Sequence, residues 1–116
     1  MEPNRNRRAH ARYRVSLSVE VFFGQEVVYG AAKNLSVGGL GLGTPTPLPE
    51  QAVVGVSLFL VEDGIEDERT EALNLRAQVV WCTPSDSGGY LAGLRFNTLD
   101  SAQRQAIDLF LRRLTS

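Results

Sequence analysis

The residues best equipped for chemistry in this chain are arginines. Arg7 and Arg8 are followed by Arg12 in the run RRAHAR, residues 7–12. A guanidinium is planar and permanently charged. It can donate two parallel hydrogen bonds to a carboxylate, a phosphate or the O6/N7 edge of guanine. In an extended chain Arg8 and Arg12 lie on the same side, about 13 Å apart. In a chain curled round a ligand they converge on it. A second polar group is NLSVGG, residues 34–39. Asn34 and Ser36 stand two apart, so both side chains point the same way at the end of a strand. Gly38 and Gly39 behind them permit positive φ and close approach to the backbone. Each motif also has a plainer reading. The first reads as a solvated basic tail. The second reads as an Asx-type turn between strands or, in a secreted chain, as a glycosylation acceptor.

Other chemistries lack their residues. His10 is the only histidine and Cys82 the only cysteine, so one chain offers no nucleophile–base triad, no His/Cys metal cluster and no disulfide. Glu62, Asp63, Glu66, Asp67 and Glu68 fall in a polar stretch with no apolar surround to split their pKa values, and read as a solvated face. Glycines 38, 39, 41 and 43 do not fit G-x-G-x-x-G, and the prolines after them cannot open a helix, which excludes a Rossmann or P-loop site. The expectation is a binding module, not an enzyme.

Charge is distributed unevenly. The 116 residues carry a net charge of −1. Within residues 1–14, five arginines against Glu2 leave +4, so the other residues hold −5. Eleven of the twelve basic residues are arginine, Lys33 being the exception. A general nucleic-acid binder needs a wider basic surface than one such arm. No apolar run approaches the roughly 18 residues that span a membrane, and the N-terminus has no signal-peptide core. A cytoplasmic protein without membrane insertion is expected.

The elements that must position these residues follow from hydropathy. From Tyr13, Val15, Leu17, Val19, Val21 and Phe23 share one face and Arg14, Ser16, Ser18 and Glu20 the other, the period-2 pattern of a half-buried strand. Gly24-Gln25 suits a tight turn. Val27 to Asn34 and Leu40 to Gly43 read as further strands. TPTPLPEQ, residues 44–51, has three prolines and reads as a loop. Val54, Val56, Leu58 and Leu60 alternate, as do Leu73, Leu75, Ala77, Val79 and Trp81, and then Tyr90, Ala92, Leu94 and Phe96. Residues 83–89 read as a turn. The period then changes. Asp100 and Gln103 form a capping-box pair ahead of Ala106, Ile107, Phe110, Leu111 and Leu114 at helical spacing. The whole predicts one all-β domain over residues 1–116: a flexible basic arm (1–12), an antiparallel barrel or sandwich (13–98) and a helix (100–115).

Taken together, Arg8-x-x-x-Arg12 before the first strand, Asn34-x-Ser36-x-x-Gly39 after the second and GLRF, residues 93–96, on the last strand resemble the PilZ domain family. The resemblance covers about residues 7 to 114. It implies a six-stranded antiparallel β-barrel with a C-terminal α-helix, and cyclic di-GMP as ligand. It implies that Arg8 and Arg12 grip guanines and phosphates, that Asn34 and Ser36 contact the ligand from the barrel wall, and that Gly38 and Gly39 keep that surface open. Arg7, immediately before the motif, goes in this family with two stacked ligand molecules per protomer. Trp81 carries two readings: by resemblance it lies near a guanine, and by alternation it belongs to the core with Val79. No cofactor beyond the ligand is expected. Ordering of the arm over the ligand would change the surface offered to a downstream protein. The rival reading is a PilZ-like adaptor that binds a protein and no nucleotide.

Overall fold

The computed structural model describes residues 15–62, 65–66 and 72–115. Arg7, Arg8, His10 and Arg12 lie outside the described residues. The elements are β1 (Val15–Phe23), β2 (Glu26–Leu35), β3 (Gly39–Thr44), β4 (Val53–Glu62), β5 (Ile65–Glu66), β6 (Leu73–Pro84), β7 (Tyr90–Phe96) and α1 (Ser101–Thr115). Six strands run in the order β1-β2-β3-β7-β6-β4, and β4 pairs back onto β1. Every pairing is antiparallel. The result is a closed six-stranded barrel with one C-terminal helix. Closure gives each of these six strands a neighbour on both sides, so the barrel has no edge strand of the kind a lone sheet exposes.

Alternation puts one half of each strand inside. Leu17, Val19 and Val21 of β1 meet Val54, Val56, Leu58 and Leu60 of β4 there, with Leu75, Ala77 and Val79 of β6 and Ala92, Leu94 and Phe96 of β7. Gly24 takes φ +59 at the first position of the β1–β2 hairpin, as a two-residue turn of the II′ kind requires. At α1 the predicted capping box is formed in both directions. The Gln103 backbone N–H donates to Asp100 Oδ1 at 2.7 Å, and the Asp100 N–H donates to Gln103 Oε1 at 3.0 Å. Ile107 and Phe110 turn into the core.

The strand assignments differ from the sequence reading in three places. The acidic stretch contains a seventh strand, the two-residue β5, paired with β4. β6 runs on to Pro84, through the first residues of the expected turn. The third difference is in β6 itself, where the register shifts between Val79 and Trp81. One extra residue there reverses the alternation. Val79 is fully buried, but Val80 and Trp81 are both exposed, Trp81 by 45%. Trp81 is therefore not in the core.

Candidate functional site

The ladder brings four outward-facing residues into one row. Asn34 of β2 pairs with Gly41 of β3, Gly41 with Gly93 of β7, and Gly93 with Trp81 of β6. Adjacent strands are about 4.8 Å apart, so the row covers roughly 14 Å of barrel wall. A β-bulge sits at each end. The β2 register shifts between Ala32 and Asn34, and β6 has the shift already described. Bulges re-aim side chains, and here the two bulges border a single surface.

The middle of the row has no side chains. On β3, Leu40, Leu42 and Thr44 are buried and alternate with Gly39, Gly41 and Gly43, so the outer face of that strand is a bare trough. Its neighbours fold over it. The Asn34 amide lies above Gly41, its Nδ2 2.9 Å from where a Cβ would stand, and its Oδ1 accepts a hydrogen bond from the Gly41 N–H at 3.0 Å. Oδ1 is thereby committed to the backbone, and Nδ2 lies over Gly41. The pyrrole side of the Trp81 indole fills the space a Gly93 Cβ would need. Trp81 thus lies against the sheet on a glycine and leaves about half its surface open, an aromatic platform of the kind on which bases stack. Towards its other end the trough opens into a groove of about 570 Å³ lined by Tyr29, Lys33, Gly43 and Tyr90 among others.

Ser36 and Gly38 form the turn that leads into β3. The Ser36 N–H donates to the Gly39 carbonyl at 2.9 Å, and the Gly38 N–H donates to Ser36 Oγ at 3.1 Å. A turn does join the two strands, but its side-chain bond is made by Ser36; it is not the Asx-type turn the sequence suggested, because Asn34 Oδ1 bonds Gly41 instead. Neither Gly38 nor Gly39 has positive φ; among the described residues Gly24, Gly88, Gly89 and Gln51 do. Gly39 is required for a different reason. A Cβ there would collide with the Leu94 carbonyl oxygen of β7, so glycine lets β3 and β7 pair closely.

The β6 bulge is held from outside by the proline-rich loop. The Gln51 N–H donates to the Val79 carbonyl and the Val79 N–H to the Ala52 carbonyl, and the Cys82 N–H donates to Glu50 Oε2 at 2.9 Å. The loop therefore supplies partners along the stretch of β6 that lies beyond the start of β4, where backbone N–H groups would otherwise lack them.

The first described residue, Val15, lies close to this row. Ser18 pairs with Ala31, so following both strands three residues further brings Val15 to about the level of Asn34. Three residues extended span at most about 10 Å and seven about 24 Å. From Val15, Arg12 and Arg8 are thus within reach of the row.

The family model for the PilZ domain matches residues 6–113. The chain belongs to the PilZ domain family. PilZ domains are cyclic di-GMP-binding modules, regulatory rather than enzymatic. Solved structures that share the fold include the following two. The Bacillus subtilis inhibitor of motility (MotI/DgrA) superposes with a TM-score of 0.61 at 16% identity, covering 91% of this chain. The chain spans about half, 51%, of that protein. The PilZ domain of CeSA from a cellulose-synthesizing bacterium superposes with a TM-score of 0.59 at 21% identity, covering 87% of this chain and 94% of its own. No curated protein sequence matches the chain. Among the described residues no helix is long and apolar enough to cross a membrane, and no cluster of metal-binding side chains occurs.

Sequence reasoning missed several residues of this PilZ surface. Gly41 and Gly93 escaped it, although GLGLG on a strand puts three glycines on one face and was a readable signal. Arg95 and Gln78 also border the row; Arg95 stands in the GLRF motif but alternation alone also fits an exterior strand residue, and nothing in the spacing marked Gln78.

Proposed function

We propose that this PilZ domain is a cyclic di-GMP receptor whose arginine arm folds over ligand held on the Asn34–Trp81 row. The observation that carries the reading is the shared level of that row and the point where the arm joins the barrel. The ligand presents two guanines and two phosphates. The row offers an aromatic platform and amide donors, and the arm offers guanidinium groups that bind phosphate and guanine bidentately. Arg8 and Arg12 grip the ligand, Asn34 and Ser36 contact it from the wall, and Gly38 and Gly39 keep that surface open. Arg7 serves a second, stacked ligand molecule, so two bind per protomer. Ordering the arm exposes a new surface to a downstream protein.

Isothermal titration of cyclic di-GMP into the wild type and into Arg8→Ala/Arg12→Ala tests this. Saturable binding lost in the double variant supports the receptor, and a stoichiometry of two supports the role of Arg7. A wild type that does not bind sinks the receptor reading and leaves the protein adaptor in its place.

A further inference from the structure

Arg95 is exposed on β7, two residues beyond Gly93. The two side chains of such a pair leave the same face of a strand, about 6.6 Å apart. Arg95 sits directly opposite Gly39 on one side and Gln78 of β6 on the other. Its guanidinium is held: Nη2 donates to Gln78 Oε1 at 2.8 Å. Gln78 is held in turn, because its Nε2 lies 3.3 Å from both the backbone carbonyl and the side-chain Oε1 of Gln51. Gln51 is the one non-glycine residue with positive φ among those described, at 72°. A left-handed backbone at a non-glycine residue is sparsely populated and is sustained by its surroundings. Here Gln51 also makes the backbone bond to Val79 that closes the loop onto β6.

The chain Gln51–Gln78–Arg95 draws the guanidinium across the barrel wall toward β6, the strand that bears Trp81. It occupies one nitrogen and leaves the other donors of the fork for a ligand. We propose that Arg95 reads the O6/N7 edge of the guanine stacked on Trp81, with Gln78 as its positioning residue. The proposal rests on the receptor reading and adds to it the source of base specificity. Arg95 stands on a strand with one nitrogen of its guanidinium already held by Gln78. Little freedom is lost when a planar base edge meets it, and held geometry of this kind discriminates between bases.

The test is a cycle between protein and ligand. Cyclic di-GMP and its analogue with 7-deazaguanine bases, which lacks N7, are titrated into the wild type, Arg95→Ala and Gln78→Ala. Arg95→Ala is expected to weaken cyclic di-GMP binding by about 5- to 150-fold. The penalty for the deaza analogue is expected to shrink in Arg95→Ala relative to the wild type, since the lost N7 and the lost guanidinium are one interaction. Gln78→Ala is expected to show a smaller loss in the same direction. Arg95 is exposed, and thermal unfolding at the wild-type midpoint verifies that the variant is folded. An unchanged affinity in Arg95→Ala overturns the proposal, and so does an equal deaza penalty in both proteins, which makes the arginine a contact to phosphate only. Absence of binding by the wild type is a separate outcome that removes the receptor reading itself.

Discussion

At the scale of single residues, the Trp81 platform depends on what lies beneath it. The indole rests on Gly93, where even one methyl group would overlap it. Gly93→Ala therefore displaces the indole, and Trp81→Ala removes it. Base–aromatic stacking is worth about 1–3 kcal/mol per base, so Trp81→Ala is expected to weaken cyclic di-GMP binding by that amount in calorimetry. Trp81 is outside the core, so its removal leaves the unfolding transition near that of the wild type. Trp81 is also the only tryptophan, and its emission is expected to change on titration of ligand into the wild type. Unchanged emission through a calorimetrically saturating titration would remove Trp81 from the site. Gly39→Ala is expected to behave in the opposite way. The colliding atom is a β7 backbone carbonyl that cannot step aside, so the substitution lowers stability as well as binding.

At the scale of elements, the site is made by two bulges and a loop. Glu50 bonds the Cys82 N–H, next to Trp81, from outside the strand. Glu50→Ala is expected to lower stability by about 1 kcal/mol in denaturant unfolding and to weaken ligand binding, because it loosens the strand that carries the platform. Asp100→Ala serves as a contrast. It removes the reciprocal cap of α1, costs about 0.5–2 kcal/mol and leaves ligand affinity unchanged. The same elements show what the sequence could reveal. The strands β1 and β4 and the capped helix were legible because their side chains alternate or recur without interruption. The bulge in β6 was not. Val79, Val80 and Trp81 are all apolar, so one inserted residue leaves no mark on the pattern while it moves Trp81 from the inside to the outside. Of the candidate site, the polar motifs RRxxxR and NxSxxG stand out in the sequence as residue types, the first of them outside the described residues. The floor of the site was harder to read, because Gly41 and Gly93 act through side chains they lack. Arg95 was legible as part of GLRF, but its place beside the row shows only through its partner Gln78, 17 positions away in sequence.

At the scale of the whole molecule, the proposed binding surface and the stabilising core are separate. The buried apolar residues run from Leu17 to Phe110, and closure of β4 onto β1 joins them in one barrel. Leu58 is fully buried, and Leu58→Ala is expected to cost about 2–5 kcal/mol, a large share of the roughly 5–15 kcal/mol that stabilises a typical domain. The arginine arm precedes the first of these core residues. A chain shortened by residues 1–12 is therefore expected to unfold at a midpoint close to that of the intact protein, yet to lose cyclic di-GMP binding, as measured by calorimetry on the same preparation. The pair of measurements separates two roles for the arm. If the shortened chain unfolds earlier, the arm helps to hold the barrel, and loss of binding no longer assigns the arginines to the ligand. If it keeps both its stability and its affinity, the wall from Asn34 to Trp81, with Arg95 beside it, is sufficient to hold the ligand without the arm.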